Sequence, residues 1–104
     1  DTHLTLFPGE IDLIHEALEF ARDGILPAGM YRNRHYAEAA VDPGSTELAV
    51  QDMLYDPQTS GGLLIAAAPE DADALLRELR GAVPSAQRIG VVEAYNGGPR
   101  ISLR

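Results

Sequence analysis

Six consecutive apolar residues, Leu63 to Ala68, constrain this chain more than any other stretch of it. They follow Gln58-Thr59-Ser60-Gly61-Gly62 and precede Pro69, so turn residues bound them on one side and a helix-opening proline on the other. The run is too short to be a helix of its own and too apolar for a strand with one wet face. It predicts a strand covered on both faces. Such a strand needs neighbours in a sheet and a layer on either side, which places the chain among mixed helix-and-sheet proteins.

The flanking pattern agrees. His3 to Phe7 reads as a short strand ending at Pro8-Gly9. From Ile11 to Ile25 the apolar residues Ile11, Leu13, Ile14, Ala17, Leu18, Phe20, Ala21 and Ile25 fall on one half of a helical wheel. This predicts an amphipathic helix, ended by Gly24 and lying against a sheet or another large surface. Leu26 to Gly44 is punctuated by Pro27, Gly29 and Pro43 and reads as irregular. A second helix should run to about Tyr55, capped by Ser45 or Thr46, with Asp56-Pro57 breaking it. A third opens at Pro69, carries the stripe Ala72, Leu75, Leu76 and Leu79, and stops at Gly81. Glu70, Asp71 and Asp73 suit its positive end, Arg77 and Arg80 its negative end. Arg88 to Tyr95 and Arg100 to Arg104 read as a hairpin around Asn96-Gly97-Gly98-Pro99. The expected fold is α/β or α+β: one small mixed sheet with about three helices, a single domain over residues 1–104.

Composition removes much chemistry. Sixteen acids face eight bases, for a formal charge of −8, and every base is arginine. Neither nucleic acid nor an anionic membrane is an expected partner. Without lysine there is no Schiff base and no phosphate-loop lysine; without cysteine there is no disulfide, thiolate zinc site or thiol nucleophile. No apolar run approaches the ~18 residues of a membrane span, and no secretory leader is visible. A cytoplasmic protein is the expectation.

Three local constellations could carry function. In Thr59 to Gly62, two hydroxyls precede two glycines, so backbone N–H groups could converge on an anion. A tight turn into a buried strand is the plainer reading, with Gly61 or Gly62 at positive φ, because phosphate cradles usually follow a strand and open a helix. His15 and Glu19, four apart on one helix face, could hold a metal or form a surface pair; with no third ligand in sight the pair is favoured. Arg32 and Arg34 could meet a phosphate or pair with nearby acids.

The stretch Asp56 to Leu64, DPQTSGGLL, resembles a signature of the selenophosphate synthetase (selenide, water dikinase) family. Pro27-Ala28-Gly29-Met30-Tyr31-Arg32-Asn33 resembles a second segment of that family, departing from its pattern at Ala28; Phe7-Pro8-Gly9 and Ile89-Gly90 resemble others. The resemblance implies the C-terminal portion of a C-terminal domain like that of AIR synthase, with the N-terminal ATP-binding half absent. It implies a parent enzyme that makes selenophosphate from selenide, ATP and water, releases AMP and phosphate, uses Mg2+, and works as a homodimer. The family's catalytic residues lie upstream of the matching part, so none is carried onto this chain. Asp56, Gln58, Thr59, Ser60, Gly61 and Gly62 become a structural or phosphate-adjacent loop, and Arg32 and Arg34 basic residues on its phosphate side. No metal ligand is assigned. The chain alone is expected to be inactive, to bind neither ATP nor Mg2+ tightly, and to associate with the rest of the parent or with itself. The alternative is a non-catalytic assembly module of the same superfamily.

Overall fold

The computed structural model describes residues 1–95 and 97–104. In chain order it contains β1 (Thr2–Leu6), α1 (His15–Arg22), α2 (Ala28–Ala37), β2 (Val41–Asp42), α3 (Leu48–Leu54), α4 (Pro69–Ala82), β3 (Gly90–Ala94) and β4 (Ile101–Leu103). The mixed class read from the sequence is the observed one, with four helices rather than about three.

The sheet has the order β2-β4-β1-β3. β1 runs antiparallel to β3, with Leu4 opposite Val92, and parallel to β4, with Leu4 beside Ile101. β2 adds to the far side of β4 in parallel, Val41 beside Ile101. The last two strands therefore do not form the expected hairpin. β1 lies between them, which pairs both of its rows of backbone groups and sets Leu4 between Val92 and Ile101, while Leu6 has Leu103 on one side and Gly90 on the other. Asn96, part of the expected turn, lies outside the described residues; Gly97 and Gly98 beyond it take positive φ of 96° and 82°.

The largest departure is at the apolar run. Leu63 to Ala68 forms no strand, and all of it is exposed: Leu63 91%, Leu64 68% and Ile65 50%. Among the described residues, no backbone N–H from 59 to 67 donates to another backbone group. The sheet closes without this segment, and among the described residues no strand pairs with it.

The helices also depart from the wheel. α1 starts at His15, after a 3-10 turn at Pro8–Glu10, so it makes only about two turns. It packs on α3 rather than on the sheet. Ala21 is buried there, while Ile14, Phe20 and Ile25 stay exposed. Gly24, at φ 77°, ends it as expected. Arg22 clamps α1 to the start of α3, donating from Nε and Nη2 to the two carboxylate oxygens of Glu47 at 2.8 and 2.9 Å. α2 occupies the stretch read as irregular, with Pro27 at its N-cap. α3 begins at Leu48 after Glu47, and neither Ser45 nor Thr46 caps it. α4 opens at Pro69 as read but runs through Gly81 to Ala82, since Gly81 keeps ordinary helical geometry rather than a left-handed stop. Its stripe Ala72, Leu75, Leu76 and Leu79 is half-buried. Arg80 closes its end on the Ala86 carbonyl and Gln87. No described helix is long and apolar enough to cross a membrane.

Two exposed ion pairs set an acid limit on stability. The Arg104 guanidinium and the Gly44 N–H hold the Asp42 carboxyl below its ordinary value of 3.8, and Arg22 holds Glu47 below 4.5. Both carboxyls release protons more readily folded than unfolded, so the stabilisation is present above the unfolded values and disappears as pH falls through the folded ones. The urea midpoint should drop between pH 5 and pH 3. Arg22→Gln with Arg104→Gln should flatten that drop; an unchanged pH profile would remove these pairs from the account.

Candidate functional site

Two segments far apart in sequence, 27–34 and 52–58, meet in one joint. α2 presents Gly29 to Pro57 so closely that a Cβ on Gly29 would lie 2.6 Å from the proline Cγ. Met30 behind it is the most deeply buried large side chain described. One turn on, the Asn33 side chain donates from Nδ2 to the Tyr55 carbonyl at 2.9 Å. Arg34 pairs with buried Asp52 of α3, and its guanidinium lies over the Tyr55 ring, 5.6 Å from the centroid. Burial pushes the Tyr55 phenol up. A cavity of about 140 Å³ adjoins the joint, lined by Arg34, Glu38, Val41, Pro43, Gln51 and Tyr55.

The loop leaves this joint into solvent. Asp56, half-buried, donates its N–H to the Met53 carbonyl at 3.2 Å, and the Gln58 N–H returns to the Asp56 carbonyl at 3.0 Å. Gln58, Thr59, Ser60, Gly61 and Gly62 are all exposed. Neither glycine has positive φ, contrary to the strained turn expected there. A nest of N–H groups needs residues of alternating handedness, and this loop lacks the left-handed member. A Cβ on Gly61 would lie 2.4 Å from the Gln58 carboxamide oxygen, the mobile end of a side chain that can swing aside, and one on Gly62 would meet nothing. Alanine at 61 or 62 should therefore shift stability by less than ~0.5 kcal/mol. Alanine at 29, against a rigid proline ring, should cost about 1–3 kcal/mol. Equal losses at 29 and 62 in urea titrations would contradict this division.

The two arginines part company. Arg34 is committed to Asp52. Arg32 is exposed, takes part in none of the described ion pairs, and has its guanidinium near Gly29, at the Pro57 end of the joint. His15 and Glu19 stand 3.6 Å apart as an exposed pair, and no group of three metal-binding side chains occurs among the described residues. Glu70, Asp71 and Asp73 are exposed at the start of α4. Asp52 is the residue that sequence reading missed. The available signal was an acid three residues after Ala49, on the same helical face.

No family model matches the chain. It is 51% identical over 71 residues to the selenide, water dikinase of Clostridioides difficile strain 630, covering 67% of this chain and 20% of that protein.

The chain is a relative of the selenide, water dikinases.

Its similarity to the selenide, water dikinase of Desulfitobacterium hafniense strain Y51 runs further, 38% identity over 98 residues, or 94% of this chain and 29% of that protein. Selenide, water dikinase 2 of Peptoclostridium acidaminophilum is 47% identical over 66 residues, 64% of this chain and 19% of that protein. The chain thus spans 19–29% of the length of these dikinases. The two segments that best resemble the dikinase family, 27–33 and 56–64, are adjacent at the Gly29–Pro57 contact.

Proposed function

We propose that this chain is the C-terminal part of a cytoplasmic selenide, water dikinase, an ATP- and Mg2+-dependent enzyme that makes selenophosphate from selenide and water. The observation that carries the reading is the similarity over 94% of the chain to a dikinase more than three times its length. The residues present do not fit Mg2+ or a nucleotide: no three acidic or histidine side chains converge among those described. The cavity at the joint, about 140 Å³, is also smaller than the ~300 Å³ at which ligand pockets begin, and the larger open cleft of about 540 Å³ between residues 9–12 and 84–87 presents Glu10 and Asp12 and no basic side chain to a nucleotide's phosphates. What the chain's own residues do is positional. The Gly29–Pro57 contact, the Asn33–Tyr55 bond and the Arg34–Asp52 pair fix where the 58–62 loop leaves the fold. In this reading the loop and exposed Arg32 face the phosphate-handling half of the parent.

The isolated chain should release no AMP from ATP, Mg2+ and selenide, because phosphoryl transfer requires cationic groups and metal held around the phosphates. Supplying the remainder of the Clostridioides difficile enzyme as a separate polypeptide should produce AMP only when both are present. AMP from this chain alone would overturn the positional role. AMP from the remainder alone, unchanged on adding the chain, would favour the assembly-module alternative.

A further inference from the structure

The cavity at the α2–α3 joint carries a charge pattern that the joint does not use. Arg34 and Glu38 stand four apart at the end of α2, and both line it. Opposite charges at that spacing commonly pair. These two do not among the described residues: Arg34 turns to Asp52, and Glu38 lies 3.8 Å from His35 Nδ1. A cation and a carboxylate therefore share one hollow without neutralising each other. Tyr55 senses both. Burial raises its phenol, Arg34 opposes that rise and Glu38 adds to it. Gln51, Val41 and Pro43 complete the lining. The Gln51 Nε2 donates to the Thr46 carbonyl at 2.7 Å, which leaves its own side-chain oxygen as an acceptor.

We propose that this cavity binds a small zwitterion, an α-amino acid about the size of alanine, with its carboxylate on the Arg34 guanidinium and its ammonium on Glu38. A simple anion would meet Glu38, and a simple cation would meet Arg34. An apolar molecule would take water from both charges and replace none of its hydrogen bonds. A ligand with both charges answers both residues. The pairing with Asp52 engages Arg34 through Nη2, and the guanidinium has further N–H donors to offer a carboxylate. Val41 and Pro43 give a methyl side chain apolar surface to lie against. Pockets of ~300 Å³ and above serve drug-sized ligands; this one, about 140 Å³, suits a far smaller one. A cavity of ~150 Å³ admits benzene, which has as many non-hydrogen atoms as alanine. Phenylalanine, larger by a whole ring, exceeds it. The Glu38 side chain is 56% exposed, so water competes for the ammonium contact and the affinity is set in the millimolar range. The proposal rests on this chain's own residues and holds whatever the parent enzyme does, so it stands apart from the dikinase reading.

Titrating the isotope-labelled 104-residue chain with L-alanine, followed by NMR, tests this directly. Saturable shifts should appear at Arg34, Glu38 and Tyr55 with a Kd of about 1–10 mM. Acetate and methylammonium, each carrying one of the two charges, should bind about fivefold more weakly, the scale of one half-exposed ionic contact. Phenylalanine should leave these resonances unmoved. Glu38→Gln should weaken alanine binding about fivefold. Glu38 is exposed and lies outside the Arg34–Asp52 pair, so this variant should keep the original circular dichroism and urea midpoint. Acetate that binds as tightly as alanine would reduce the site to an anion contact on Arg34 and overturn the proposal. A Glu38→Gln chain that binds alanine as the original does would overturn it too. So would the absence of saturable shifts up to about 50 mM alanine, which would assign the cavity to water alone.

Discussion

Replacing Asp52 by alanine should cost the fold about 3–5 kcal/mol, because it leaves the Arg34 guanidinium inside the α2–α3 joint without its partner. The side chains of the pair are only 21% and 6% exposed, and they face one another through Arg34 Nη2 and Asp52 Oδ1. The attraction itself is not the source of the loss. Taking two charges out of water offsets much of what their pairing contributes, so removing both should hurt far less than removing one. Arg34→Met with Asp52→Leu should recover most of the stability lost in either single variant. Against a total of about 5–15 kcal/mol for a domain, each single variant should lose a large fraction of the stability. Urea midpoints for the four proteins give the coupling directly. A single-variant loss below about 1 kcal/mol would mean that the pair is solvated and the joint rests on Met30 and Gly29 alone.

The second large effect is expected at the sheet. A Cβ on Gly90 would sit 2.3 Å from the Thr5 carbonyl oxygen and 3.2 Å from the Leu6 Cα. Both are backbone atoms of the central strand, paired in register with the start of β3, where Leu6 faces Gly90. No rotamer change relieves such a contact; the two strands must separate locally, or Gly90 must bulge. Gly90→Ala should therefore cost about 2–3 kcal/mol, in the range of overpacked sites, and Gly90→Val more, although valine is ordinarily the better strand residue. A neutral or stabilising Gly90→Val would show that the end of β3 stands free of β1.

Where the sequence was legible, the signal was local. α4 could be read because Pro69, the four-residue apolar stripe and the charge gradient all act within one element. Gly24 could be read because a left-handed stop is a property of one residue. α2 escaped because only Met30 of its ten residues is buried, so there was no stripe to detect. Strand order escaped for another reason. Periodicity reports which face of a strand is apolar, not which strand lies beside it, and β1 pairs with segments near the opposite end of the chain.

The apolar run at 63–68 is the instructive case. Its composition reads as that of a strand requiring cover, and the structure shows neither the strand nor the cover. The candidate site divides in the same way. The loop 56–62 was visible as a motif, but its anchor, Asp52 under Arg34, depends on a contact between two helices, one of which left no periodic trace.

The most direct measurement is a hybrid enzyme. The segment of the Clostridioides difficile dikinase matched by this chain would be replaced with the corresponding residues of this sequence, and selenide-dependent AMP release would be measured with ATP and Mg2+. The account predicts AMP formation that requires selenide, and its loss when Asp52→Ala undoes the joint. A hybrid that folds with the parent's circular dichroism but releases no AMP above the selenide-free control would contradict it.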